Sequence, residues 1–294
     1  MRTLLLAFAL LLAKLAQGAP ADPYKDVRVE SRAVSGSVYM LTGAGGNLAV
    51  SIGHDGTLLV DDQFKPLAPK ILAAIEALRG TPPRIVLNTH FHGDHTGGNP
   101  VFGRDGVIIA HENVRLRLLS EDLARSGLPL LTFADRIRVH FNDDEVEIIH
   151  MPNGHTDGDV IVWFKTANVL HMGDHFFNGR FPYIDVDAGG SIDGYLANVS
   201  RVLAMVPADI RIIPGHGALA SVVELAEFRD MIERTRDSVR ARLDNGATID
   251  EVVADGLEPR DAAFDGGFIT QEAWIRTIDA SIRPQAPGDT RGRR

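Results

Sequence analysis

The stretch Thr89-His90-Phe91-His92-Gly93-Asp94-His95-Thr96 places three histidines and one aspartate within six consecutive positions, 90 to 95. Imidazole nitrogen and carboxylate oxygen are the donors a divalent transition ion accepts when thiolate is lacking, and the chain has no cysteine. That absence also excludes disulfides and cysteine nucleophiles. In extended backbone, residues i and i+2 face the same way, so His90 and His92 can grip one ion. Asp94 and His95 follow the expected strand end and can turn toward a second. Three further donors stand beside glycine just after apolar runs: His155 in Gly154-His155-Thr156, Asp174 in Gly173-Asp174, and His216 in Gly215-His216-Gly217. Sites collect on loops held by a rigid scaffold, so the expectation is that these four loops converge. No Gly-x-Ser-x-Gly elbow is present, and hydrolysis by a metal-activated water needs no protein nucleophile.

Loops of this kind need strands to carry them. Residues 27–42 alternate and read as one strand. Residues 47–52 and 56–60 are apolar runs split by His54-Asp55-Gly56, which is hairpin punctuation. Helical spacing covers 66–78 and stops at Gly80. Further strands are expected at 84–87, 107–110, within 128–141, and at 146–150, 160–164, 169–172 and 210–213. Residues 90–98 read as a polar loop and 174–190 as a long one. Helices are expected at 112–119, at 191–203 with Ser191 as cap, and at 222–243, followed by two shorter ones at 249–254 and 271–282. Strands in two batches, each followed by helices, suggest an α+β arrangement of two sheets face to face with helices outside.

Taken in order, His-x-His-x-Asp-His followed by a separated His, Asp and His resembles the metallo-β-lactamase superfamily, over roughly residues 38–217. The resemblance implies a four-layer αββα sandwich with its site along one edge of the sheets. It also implies the ligands: His90, His92 and His155 for a first zinc ion, Asp94, His95 and His216 for a second, and Asp174 bridging them. In such sites the two ions, roughly 3.5–4 Å apart, make a shared water hydroxide near neutral pH; the hydroxide attacks a carbonyl carbon, and Asp94 would orient it. Zinc β-lactamases of similar layout carry cysteine where Asp174 stands, and some carry a lysine where Phe177 stands. The full His95 and Asp174 set looks more like the glyoxalase II branch, which acts on a cytosolic glutathione thioester and resembles this chain poorly after His216. The expectation is an exported binuclear zinc hydrolase opening a cyclic amide or ester. The alternatives are a thioester or lactone hydrolase of the glyoxalase II type, and a mononuclear iron sulfur oxygenase on the same fold.

Around the seven donors, Asp61 is a candidate to orient a ligand histidine, and His175 could line the pocket beside Asp174. Phe176, Phe177, Phe181 and Tyr183 either wall a substrate pocket or pin the long loop, and Arg180 is either a carboxylate anchor or a solvated charge. His54, His111, His140, His150 and His171 read as structural. The 294 residues, 45% of them hydrophobic, suffice for one large core. A formal charge of −9 and 6% aromatics oppose a nucleic-acid partner. Arg2, the apolar run 4–13 and small residues at Ala16-Gln17-Gly18 or Ala19-Pro20-Ala21 have the layout of a cleaved export signal, too short to span a membrane. The expected organisation is a signal over 1–21, a hydrolase domain over 22–283 and a disordered tail over 284–294. The expected setting is periplasmic or secreted, with a small-molecule substrate and no membrane partner.

Overall fold

Successive side chains of a strand face opposite ways, and in this protein that alternation divides the interior into three apolar layers. The computed structural model describes residues 22–120 and 123–283; the signal expected at 1–21 and the tail expected at 284–294 lie outside them. The first half of the chain runs β1 (Glu30–Ser35), β2 (Val38–Thr42), β3 (Leu48–Gly53), β4 (Gly56–Val60), α1 (Ala68–Ala77), β5 (Pro83–Leu87), α2 (Gly93–Thr96), α3 (Asn99–Phe102), β6 (Val107–His111), α4 (Glu112–Ser120) and β7 (Leu131–Phe133). Its seven strands form one sheet in sequence order, antiparallel from β1 to β4 and parallel from β4 to β7. The second half runs β8 (Arg136–Phe141), β9 (Asp144–His150), β10 (Val160–Phe164), β11 (Val169–His171), α5 (Ile192–Met205), β12 (Arg211–Ile213), α6 (Val222–Asp244), α7 (Ile249–Asp255), α8 (Pro259–Ala262) and α9 (Gln271–Ile282). These strands form a second sheet in the order β12-β11-β10-β9-β8.

Leu48 and Val50 of β3 and Leu59 of β4 pack outward with Ile71 and Ile75 of α1. Ala49, Leu58 and Val60, on the opposite face, meet Val160, Val162 and Phe164 of β10 between the sheets. Ile161 and Trp163, the remaining residues of β10, join Tyr195, Phe228 and Trp274 of α5, α6 and α9. The central strands of both sheets are therefore buried on both faces, which is why β3, β4 and β10 read as nearly unbroken apolar runs, while the edge strands β1 and β8 stay largely exposed. The order helix, sheet, sheet, helix is the four-layer αββα sandwich. No helix among the described residues is long and apolar enough to cross a membrane.

Four local expectations are corrected. Residues 27–42 are a hairpin, not one strand: Gly36 takes φ +55 and the chain reverses between β1 and β2. Residues 128–141 hold two strands, β7 and β8, which belong to different sheets. The stretch 90–98 contains a helical turn, α2, and its backbone bonds return to His92 and Gly93. Three short helices, not two, follow α6; the additional one, α8, starts at Pro259, where a missing N–H is harmless. Ser191 caps α5 as expected, accepting from the Gly194 amide at 3.1 Å.

Candidate metal centre

All seven sequence-predicted donors meet along one edge of the sandwich. His90 and His92 follow β5, Asp94 and His95 sit on α2, His155 lies between β9 and β10, Asp174 follows β11 and His216 follows β12. They form two groups. In one, single atoms of His90, His92, His155 and Asp174 lie within 4.8 Å of each other; Asp94, His95 and His216 do the same in the other. Asp174 faces both. Its Oδ2 is 3.8 Å from His90 Nε2 and 3.5 Å from His155 Nε2, and its Oδ1 is 3.1 Å from His95 Nε2 and 3.3 Å from His216 Nε2. Asp94 Oδ2 stands 3.6 Å from His95 Nε2 and 3.5 Å from His216 Nε2.

The outward partners of the histidines determine which atoms face inward. His155 Nδ1 donates to the Tyr183 carbonyl at 2.8 Å, and His92 Nε2 to Asp185 Oδ2 at 3.0 Å. Each neutral imidazole carries one proton, so His155 Nε2 and His92 Nδ1 turn lone pairs toward each other, 2.8 Å apart. Two facing lone pairs at that distance repel unless a cation lies between them. His95 Nδ1 donates to Asp61 Oδ2 at 2.7 Å. The Thr89 hydroxyl donates to Asp61 at 2.7 Å, so His90 Nδ1 must be the donor in its 3.1 Å contact with Thr89. His90 Nε2, His95 Nε2 and Asp174 Oδ1 are buried without a hydrogen-bond partner among the described residues. Buried acceptors of this kind ordinarily find a partner, so the donor set fits divalent metal.

Electrostatics agree. Burial holds His90 well below the usual imidazole range, with neighbouring His95 adding to the effect. Burial also lowers His155 to about 4. For Asp174, burial favours the protonated form, but His95, His216 and His90 outweigh it and hold the carboxyl well below its ordinary value. Burial opposes charge on His95 too, yet Asp174, Asp94 and Asp61 together push it up. Neutral His90 and His155 beside an ionised Asp174, together with the pull of three carboxylates for positive charge at His95, form a cation-attracting site.

Asp61 orients the His95 ring, one of the candidate donors, as the sequence suggested. It also accepts from the Thr89 amide at 2.7 Å, and these bonds hold it at φ +60, a conformation costing about 1–3 kcal/mol for a residue with a side chain. His175 does not line the pocket. It is buried under α5, its Nε2 3.0 Å from Asn198 Nδ2, and burial lowers it to about 3. Asp157 pairs with Arg117 and Asp159 with Thr156, so neither competes with Asp174. His111 and His150 stack on each other, and His171 donates to the Asn47 carbonyl.

Above the donors opens a cavity of about 540 Å³ lined by Phe64, Phe177, Arg180, Phe181, Tyr183 and Phe268 together with His92, Asp94, Asp174 and His216. Phe177 stacks on His216 at 4.9 Å and 16°. Phe176 instead belongs to the core under α5 and α6. Sequence reasoning missed several contributors. Gly46 lies so close to His95 that a Cβ would overlap the ring, and Gly215 is equally tight against Asp174. Asn47 clamps the His216 loop through Pro214 and Gly217, both at 2.9 Å, and the Tyr195 hydroxyl holds the Asp174 carbonyl at 2.6 Å. Glycine was the visible signal, in the Gly45-Gly46 pair and in Gly215 beside His216, since close backbone approach favours it.

A four-layer sandwich carrying this donor set at its edge defines a metal-dependent hydrolase. The chain belongs to the metallo-beta-lactamase superfamily, whose family model matches residues 42–216. It is 28% identical over 223 residues to a hydroxyacylglutathione hydrolase of Rhodospirillum rubrum, covering 74% of this chain and 77% of that protein. It is 23% identical over 158 residues to a type 2 metallo-beta-lactamase of Bacteroides fragilis, covering 53% of this chain and 59% of that protein. Among solved structures, a metallo-beta-lactamase from Pontibacter korlensis superposes with a TM-score of 0.62 at 19% identity, over 70% of this chain and 99% of that one.

Proposed function

We propose that this protein is an exported zinc hydrolase that holds two ions and opens a cyclic amide or ester of a small, largely apolar molecule. The observation that supports this most is the set of inward-facing lone pairs, divided into two groups by Asp174, at the floor of an aromatic cavity. His90, His92, His155 and Asp174 would hold one ion, and Asp94, His95, His216 and Asp174 the other. When bound, the ions supply a water acidic enough to ionise near neutral pH and a Lewis acid for the carbonyl. The chain's own residues do the rest. Phe64, Phe177 and Phe181 take up the apolar body of the substrate and exclude bulk water from the carbonyl. Asp94 combines a place in the cavity lining with a quarter-exposed carboxylate (25%), so it is placed both to help hold an ion and to orient the attacking water.

A second reading, thioester hydrolysis, is favoured by the match to the Rhodospirillum rubrum hydroxyacylglutathione hydrolase. One experiment separates the readings. Protein purified without added metal is assayed for zinc and iron, then offered a chromogenic β-lactam, a lactone and an acyl thioester. Two zinc ions with turnover of the lactam or lactone is the expected result. Turnover of the thioester alone would transfer the function to the second reading, and a single iron without hydrolysis would overturn both. Export is tested by the N-terminal sequence of the mature protein in the periplasmic fraction; cleavage near residue 21 is expected, and an intact Met1 in the cytoplasm would refute it.

A further inference from the structure

The loop that brings Phe177, Phe181 and Tyr183 to the cavity wall turns back on the donors at Asp185. Asp185 Oδ2 takes the Nε2 proton of His92 at 3.0 Å, and Oδ1 accepts from the Ala188 amide at 2.9 Å. The Asp185 amide donates to the His155 carbonyl at 2.9 Å, while the Tyr183 carbonyl takes the Nδ1 proton of His155 at 2.8 Å. Residues 183 and 185 therefore hold two of the three histidines of the first group. Their partners differ in kind. His90 leans on a hydroxyl and His155 on a carbonyl, but His92 leans on a carboxylate. An anion at the outer nitrogen fixes the proton there, orients the ring and makes the inner nitrogen more basic. The second group repeats the device, with His95 backed by Asp61 at 2.7 Å.

We infer that Asp185 is a positioning residue for the first group. It selects Nδ1 of His92 as the ligating atom and ties the wall loop, residues 176–190, to that group, so that ion binding and order in the wall rise together. The inference rests on the two-ion reading above. It is tested on the full mature chain with Asp185→Ala and Asp185→Asn, using Asp61→Asn as the comparison. Zinc affinity is measured by competition with a chromophoric chelator, the electronic spectrum is recorded on cobalt(II)-loaded protein, and hydrogen exchange of residues 176–190 is followed with and without zinc. Asp185→Ala should weaken one of the two ions about 10–100-fold, shift the cobalt bands and remove the zinc-dependent protection of the loop. Asp185→Asn, which retains an oxygen without the charge, should fall between it and wild type, and it decides the matter if the alanine variant fails to fold. Asp61→Asn should weaken the other ion. Wild-type affinity and spectrum in folded Asp185→Ala would overturn the inference while leaving the two-ion reading intact. A wild-type protein that binds no divalent ion would overturn both.

Discussion

At the scale of single residues, the centre is governed by which nitrogen of each histidine is free. Asp61, Asp185, Thr89 and the Tyr183 carbonyl each take one imidazole proton, and the opposite nitrogen is thereby turned inward as a lone pair. His92 shows the consequence most sharply, because its inward Nδ1 and His155 Nε2 face each other at 2.8 Å. His92→Ala removes a donor and leaves Asp185 without its imidazole. The expected outcome is loss of at least one ion per chain by elemental analysis, with hydrolysis falling to background. Undiminished turnover in the variant would contradict the assignment of His92.

At the scale of elements, the second sheet and α5 together present Asp174. β11 ends at His171, Gly173 takes φ +50 at a point where a Cβ would strike Thr89, so both conformation and space require glycine, and Asp174 follows with its carbonyl held by Tyr195 from the first turns of α5. The start of α5 is fixed by Ser191, whose side chain accepts from Gly194 and donates to the Asn153 carbonyl just before the His155 loop. Ser191→Ala should therefore lower stability by about 1 kcal/mol in urea titration, with ion content preserved. A loss below about 0.3 kcal/mol would show that packing alone holds the helix start, since caps typically contribute more.

At the scale of the whole molecule, the donors come from loops of both sheets, so an ion that binds them joins the two halves of the sandwich. Chelation should lower the melting temperature in proportion to the affinity lost, and equal melting curves with and without chelator would show that no ion contributes to the fold. A second link between the halves lies away from the donors. His111, ending β6, stacks at 3.8 Å on His150, ending β9. Its Nε2 donates to the Ala134 carbonyl and its Nδ1 accepts from the Asn113 amide, so protonation would break a bond. Burial first, then His150, lower its affinity for a proton below the ordinary histidine value of 6.5, against the smaller pull of the Ala134 carbonyl, Glu112 and Asp157. The unfolded chain then takes up a proton that the folded one resists. Stability contributed by the neutral ring is present above that ordinary value and declines as pH falls through it toward the folded value. His111→Gln should flatten the fall in melting temperature between about pH 7 and pH 5; an unchanged slope would assign the acid sensitivity elsewhere.

The sequence by itself named the seven residues that the fold brings together, the family and most of the strands. Clustered His and Asp at fixed spacing are rare without a metal, and a strand buried on both faces must be written as an apolar run, as 160–164 is. Local punctuation also carried, as the Ser191 cap shows. The split of 27–42 at Gly36 and of 128–141 between two sheets was not legible, because an alternating pattern marks strand without saying where the chain reverses or which sheet it joins. Only the tertiary structure decided which nitrogen each histidine offers, and that His175 turns away under α5 while Phe177 lines the cavity. Asp61 was a guess in the sequence and Asp185 was invisible there, because each acts through a histidine distant in the chain: 34 positions for Asp61 and His95, 93 for Asp185 and His92. Residue type and local spacing record what a side chain can do; the proton it must hold or release is set by neighbours that only folding supplies.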